Sequence, residues 1–198
     1  MIIWINGAFG AGKTQTAYEL NRRLPDSFIY DPENMGFFIR RNIPPGIQKN
    51  DFQDYSIWRE LNYSFIKYLR ENYTGTILIP MTIVNPDYFN EIAGRLRSEG
   101  MEIKHFALMA SKKTLLKRLK SRGDGAGSWG ARQIDRCLKG LSAEVFREHI
   151  YTDELSIEEV VETIAHKCNI QLIPNNGSGF QKSLRRLGIK LQQMGFFK

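Results

Sequence analysis

The chain has only 2 cysteines, Cys137 and Cys168, and neither belongs to a C-x-x-C pair or has a histidine at ligand spacing. That argues against a disulfide framework and a structural metal site, and both thiols are expected to pack as small apolar groups in a reducing compartment. No apolar run reaches about 18 residues, so no bilayer-spanning helix is expected. The N-terminus lacks a basic stretch and a small-residue cleavage site, and Met1-Ile2-Ile3 leads straight into a core-type strand. No secretory signal is expected, and the localisation read from this is cytoplasmic. Acidic residues are missing altogether from Asn175 to Lys198, where Lys182, Arg185, Arg186, Lys190 and Lys198 stand. The net charge of +7 therefore owes +5 to that tail and only +2 to the other 174 residues. A nearly balanced main body argues against general nucleic-acid affinity.

What is present starts at the first strand. Ile2-Ile3-Trp4-Ile5 runs into Gly7-Ala8-Phe9-Gly10-Ala11-Gly12-Lys13-Thr14, a G-x-x-x-x-G-K-T sequence. Lys13 to Leu24 then reads as a helix with Ala17, Leu20 and Leu24 on one face. Strand, glycine loop and helix are the setting a P-loop needs. The glycines let the backbone curl until several N–H groups converge, and the positive end of the helix aims at the same point. Lys13 adds a full charge for outer phosphates, and the Thr14 hydroxyl is suited to magnesium. A nucleoside triphosphate site with ATP and magnesium is expected, lined by residues 7–14.

Further along, strands are predicted at 28–30, 76–79, 103–109 and 149–152. Helices are predicted at 35–42, 55–71, 86–98, from the Ser111 cap through Leu119, at 131–146, and from the Ser156 cap to Cys168. Gly123 to Gly130 holds four glycines and reads as a loop. At 198 residues, one α/β domain is the default, and the alternation calls for a parallel sheet with helices on both faces. Residues 1–174 form the expected domain, with a lid at 122–136 and a separate tail at 175–198.

A phosphotransferase also needs a group to activate the acceptor and groups to offset charge on the moving phosphoryl. Asp31 and Glu33 follow the second strand, and carboxyl ends of parallel strands line the same crevice as the P-loop. Asp31 there suits a general base or a magnesium ligand, and Glu33 a substrate contact; the plainer reading is a turn-forming Asp before Pro32. Arg118 and Arg122 share a helix face, and Arg132 and Arg136 repeat the spacing beyond the glycine loop. Framed in this way, the loop is expected to close over phosphates, with Arg122, Arg132 and Arg136 catalytic; ordinary solvated helix charge is the alternative. The third strand runs into Pro80-Met81-Thr82-Ile83-Val84-Asn85 without a carboxylate, and no Asn-Lys-x-Asp guanine-reading motif occurs. Motor-type or GTPase behaviour is disfavoured, and Thr82 and Asn85 become candidate substrate contacts.

These residues resemble the P-loop small-molecule kinases, the group of chloramphenicol phosphotransferase, shikimate kinase and zeta toxin. The marks are Gly7 to Thr14, the carboxylate after the second strand, and Leu115-Leu116-Lys117-Arg118-Leu119 before a lid. The resemblance implies a three-layer sandwich on a five-stranded parallel sheet of order 2-3-1-4-5, with Arg118 beside adenine and lid arginines at the phosphates. Trp4 to Gly10, Tyr30 to Gly36, Ile79 to Val84 and Gln133 to Cys137 are similar more specifically to the tunicamycin-resistance ATP-binding proteins of the TmrB type. That implies resistance to tunicamycin, a nucleoside antibiotic with a fatty-acyl chain, by phosphorylation or by ATP-dependent sequestration. A nucleotide or sugar-nucleotide kinase is the weaker alternative.

In the tail, Phe180, Leu184, Leu187, Leu191 and Met194 fall on one helical stripe, with the basic residues mostly elsewhere. A basic amphipathic helix of this kind suits an anionic membrane surface at the inner face of the cell membrane; a helix docked on the domain is the alternative.

Overall fold

The computed structural model describes residues 1–125 and 127–175 of the chain. It starts with strand β1 (Ile2–Gly7), every residue of which is buried. Odd and even positions of this strand face opposite ways: Ile2 and Trp4 enter one apolar layer, Ile3 and Ile5 the other. A strand buried on both faces belongs at the centre of a parallel sheet covered by helices on each side. β1 pairs in parallel with β3 (Thr76–Pro80) and with β4 (Ile103–Met109). β2 (Ser27–Ile29) and β5 (His149–Tyr151) form the edges, so the order is β2-β3-β1-β4-β5, as the resemblance implied.

Helix α1 (Lys13–Arg23) covers one face together with α6 (Lys112–Lys120), α7 (Trp129–Leu141) and α8 (Ile157–Cys168). The other face is covered by α2 (Glu33–Asn42), α3 (Ser56–Asn72) and the stretch α4 (Pro86–Phe89), π-turn (Asn90–Gly94) and α5 (Arg95–Ser98). Cys137 and Cys168 are both buried in the first of these layers, in keeping with the small-apolar reading. Among the described residues, no helix is long and apolar enough to cross a membrane.

Three predicted elements differ from the structure. The helix expected over 131–146 begins two residues earlier, because the Ser128 side chain caps it by accepting from the Ala131 N–H. It stops at Leu141, Ala143 is extended, and Glu144–Phe146 form a separate 3₁₀ turn. Gly140 presses on Val84 so closely that an added Cβ would lie 2.7 Å from the Val84 Cβ. The glycine loop is correspondingly shorter, since Trp129 and Gly130 are helical. The single helix expected over 86–98 contains the π-turn. The segment between α2 and α3, left without structure by the sequence, holds two 3₁₀ turns, Pro45–Ile47 and Phe52–Asp54. The second of these carries part of the site. The tail stripe from Phe180 to Met194 lies outside the described residues.

Candidate functional site

Gly7 ends β1 at φ 150°, where an added Cβ would sit 2.8 Å from the Leu108 carbonyl oxygen. Gly12 is the N-cap of α1 at φ 101°, a left-handed conformation that disfavours side chains. Between them the loop folds back, with the Ala11 N–H donating to the Ala8 carbonyl at 3.1 Å. Ala8 and Ala11 are buried, Gly10 lies against Leu115 and Leu119, and half-buried Phe9 faces the lid. No side chain caps α1, and its first turn holds no acidic residue. Its first N–H groups and its positive dipole end are thus presented to an incoming anion.

Lys13 is only 8% exposed, and its ammonium donates to the Ala8 carbonyl at 3.2 Å. Burial pushes its pKa down; the carboxylates of Glu33 and Asp31 push the other way, while Arg122 lowers it further. A buried ammonium anchored mainly by one carbonyl stands ready for phosphate oxygens. Thr14 follows in the same turn, half-exposed. Replacing Lys13 with Ala is expected to weaken ATP binding by 10²-fold or more, roughly, without unfolding the domain. Calorimetry with ATP and magnesium checks this, and equal affinity in variant and parent would overturn the assignment.

Across the cleft, Tyr30 continues the ladder beyond β2, its N–H donating to Leu78 at 3.0 Å. Asp31 comes next, and its Oδ1 accepts the Glu33 N–H at 2.9 Å. The Trp58 indole donates to the Pro32 carbonyl at 3.1 Å, and the Tyr30 hydroxyl donates to Asn62 at 2.7 Å, so α3 holds this corner. Burial raises the Asp31 pKa above the usual carboxylate value, against the pull of the Glu33 N–H and Lys13. Burial and the Asp31 charge together push Glu33 up to about 7. The Asp31 charge disfavours ionisation of Glu33 beside it, as one carboxylate does another. The hydrogen bond from the Glu33 N–H shows the turn-forming role of Asp31.

Thr82 and Asn85 are occupied otherwise. The Thr82 hydroxyl, fully enclosed, donates to the Gly7 carbonyl at 2.8 Å, and Asn85 caps α4 by accepting from Asp87 and Tyr88. Both side chains brace backbone, and only the enclosed Thr82 is dropped as a substrate contact. A residue that the sequence reading missed does the larger bracing. Buried Asn6 accepts the Gly7 N–H at 2.8 Å and the Ile83 N–H at 3.0 Å, and donates to the Ile83 carbonyl at 2.7 Å. Its amide also meets His105 Nε2 at 3.3 Å. One polar residue in an otherwise apolar strand, just before the loop, was the available signal.

Arg118, expected beside adenine, and the three arginines of the expected lid do not converge. Arg118 is pinned to Thr152, its guanidinium donating to the hydroxyl at 3.0 Å and to the carbonyl. Arg122 lies 3.8 Å from Asp124 and near enough to Lys13 to affect its charge. Arg132 donates to the Gly127 carbonyl at 2.8 Å. Arg136 reaches the other way, to Asp51 at 3.1 Å. The Trp129 ring meets Phe9 of the P-loop edge to face, centroids 5.0 Å apart, and joins the start of α7 to the triphosphate cradle. Cleavage between Arg122 and Arg132 is expected to slow when an ATP analogue is added, because the glycines leave that stretch little intrinsic structure. Limited proteolysis with and without the analogue measures it; unchanged cleavage would mean a static loop.

Magnesium fits the donor set. Thr14 and Asp31 would hold it, and Asp31 and Glu33 carry raised pKa values that a nearby cation would relieve. Among the described residues, no three His, Cys, Asp or Glu side chains form a metal cluster, so phosphate oxygens and water would complete the shell.

The family described as AAA domain matches residues 2–143. No curated protein sequence matches the chain. The tunicamycin resistance protein of Deinococcus radiodurans is 33% identical, over 88% of this chain and 98% of that one, with a TM-score of 0.75. A sugar kinase from Janibacter sp. is 15% identical over 85% and 94%, with a TM-score of 0.62. Shikimate kinase from Bacteroides thetaiotaomicron is 20% identical over 86% and 99%, with a TM-score of 0.54. The last two share the fold alone. Taken with the cradle at Gly7 to Thr14 and the sheet order, the chain belongs to the tunicamycin-resistance family of the TmrB type, within the P-loop kinase-like proteins.

Proposed function

We propose that the protein transfers the terminal phosphoryl group of ATP to a hydroxyl of tunicamycin or a closely similar nucleoside antibiotic. The observation that carries this reading is the Asp31–Glu33 pair, set at the carboxyl end of β2 and in electrostatic reach of Lys13. Lys13 and the uncapped start of α1 bind and orient the phosphates. Asp31 takes the proton from the acceptor hydroxyl as the oxygen attacks; burial raises its pKa and so strengthens it as a base, while Glu33 beside it is pushed up to about 7. Arg122 is the lid arginine whose charge acts on Lys13, and it is the one assigned to the transferring charge. Magnesium, when bound, supplies further charge neutralisation at the phosphates. The test is the mass of tunicamycin after incubation with protein, ATP and magnesium. A gain of one phosphate supports transfer, and an unchanged mass at full ATP occupancy overturns it.

A second reading has its own support. No carboxylate follows β3, and the Thr82 hydroxyl is engaged with the Gly7 carbonyl, which favours ATP-dependent binding of the drug without chemistry. Drug that is retained unmodified on the ATP-loaded protein selects this reading.

The working unit in either case is residues 1–174. The chain leaves it beside α1, where the Ile173 N–H donates to the Arg23 carbonyl at 2.8 Å and Asn175 meets Arg22. The basic segment beyond is assigned to an anionic membrane surface. Deleting residues 180–198 is expected to leave the melting temperature unchanged and to remove most binding to anionic vesicles, each basic residue contributing on the order of 1 kcal/mol there. Co-sedimentation with and without salt measures this; a lower melting temperature with no lipid effect would show a docked helix instead.

A further inference from the structure

Arg136 was expected at the phosphates of ATP, yet it lies on the acceptor side with its charge already matched. The Asp51 Oδ2 lies 3.1 Å from its guanidinium, and the Asp51 side chain is 14% exposed against 49% for Arg136. Asp51 is itself held, because its Oδ1 accepts the Gln53 N–H at 3.1 Å as the cap of the Phe52–Asp54 turn. Gln53, buried, ties that turn to the Thr82 carbonyl at 2.8 Å, so the carboxylate is fixed to the cleft wall. It stands near enough to Glu33 to raise that group's pKa.

Other cations on this wall have partners too. Arg40 donates to the Asn50 carbonyl, Lys49 donates to the Asp54 carbonyl at 2.8 Å, and Arg59 pairs with Glu91 and donates to the Gln53 carbonyl. Among the described residues, this wall presents three carboxylates, Asp31, Glu33 and Asp51, and its Arg136 guanidinium is neutralised by Asp51, while Lys13 and Arg122 belong to the ATP side and Arg40 and Lys49 are held by backbone carbonyls. A phosphate-bearing acceptor needs an open, doubly donating guanidinium, and it would meet repulsion from the three acids.

We propose that Asp51 is a specificity-determining residue: by occupying Arg136 it restricts the acceptor to uncharged or cationic hydroxyl compounds and excludes phosphorylated ones. This rests on the proposed kinase-like site and narrows its substrate class, against a nucleotide or sugar-nucleotide acceptor. Asp51→Asn keeps the cap to Gln53 while freeing Arg136, whereas Asp51→Glu keeps the charge.

The experiment is calorimetric titration of a nucleoside 5′-monophosphate into protein already saturated with magnesium and a non-hydrolysable ATP analogue, so that the P-loop is filled. The parent and Asp51→Glu are expected to bind it negligibly, and Asp51→Asn to gain affinity by about tenfold or more, the worth of one charge-assisted bidentate contact. The gain should vanish in Asp51→Asn combined with Arg136→Met. Firm monophosphate binding by the parent overturns the proposal, and this arm stands even if a variant fails to fold. A folded Asp51→Asn that binds the analogue but gains nothing overturns it as well. Either failure leaves the ATP site intact, whereas loss of analogue binding by the parent would strike the kinase-like reading itself.

Discussion

Asp31→Asn is expected to lower the rate of phosphoryl transfer by roughly 10²- to 10⁴-fold while affinity for metal-free ATP stays within about threefold. The substitution keeps the side chain's size and leaves an oxygen to accept the Glu33 N–H, so the turn around Pro32 survives. What it removes is the carboxylate that stands directly after β2, whose raised pKa makes it a stronger base than a free Asp. The remaining catalysis would come from positioning and from Lys13, which do not depend on a base. Steady-state kinetics with a separate ATP-binding measurement decides the matter. An unchanged rate would leave Asp31 as a turn former and shift attention to Glu33.

Glu33→Gln is expected to make the nucleotide-free protein more stable, by about 2 kcal/mol at pH 8 and by almost nothing at pH 4. The sign follows from the direction of the shift. The native Glu33 pKa is raised to about 7, so the folded state holds this proton more tightly than the unfolded state does. Stability from that proton is fully present below the ordinary carboxylate range and is lost as pH rises through about 7. Gln has no proton to lose and escapes the loss. The full shift from 4.5 would be worth more than 2 kcal/mol, but Glu33 is half-buried and solvent screens part of it. His105 acts in the opposite sense. Burial lowers its pKa to about 3, so the native state resists protonation and stability falls as pH drops below about 6.5. Both proteins share His105, and its contribution cancels when the variant is compared with the parent at each pH. Denaturant unfolding at pH 4 and pH 8 gives the comparison. A variant no more stable at pH 8 would mean that Glu33 is not under strain.

The framework was open to reading because it rests on local signals. The bounds of β4 fall where its apolar run predicts, and the Ser156 capping box marks the start of α8. The order of strands came through resemblance, since periodicity alone does not say which strand lies beside which. The site was readable only where the chain carries its own geometry. Gly7 to Thr14 is one such stretch, and Asp31 at a strand end is another. Asp51 and Asn6 escaped because their partners are remote: Arg136 is 85 residues from Asp51, and Ile83 is 77 from Asn6. Arginine spacing at four residues put Arg132 and Arg136 near one another, but Arg136 pairs with remote Asp51 while Arg132 stays on Gly127. Thr82 looked available for the same reason, as a sequence does not reveal that a hydroxyl is already spent on a neighbouring backbone.

The contact between Phe9 and Trp129 has an optical consequence. The chain has 3 tryptophans, and Trp4 and Trp58 are fully enclosed while Trp129 is 44% exposed. Emission from the two enclosed rings should stay blue and out of reach of a dissolved quencher. Trp129 therefore reports alone on the seam between the P-loop and the start of α7, with no label added, and a stopped-flow trace of its quenching would time any change at that contact when ATP is added.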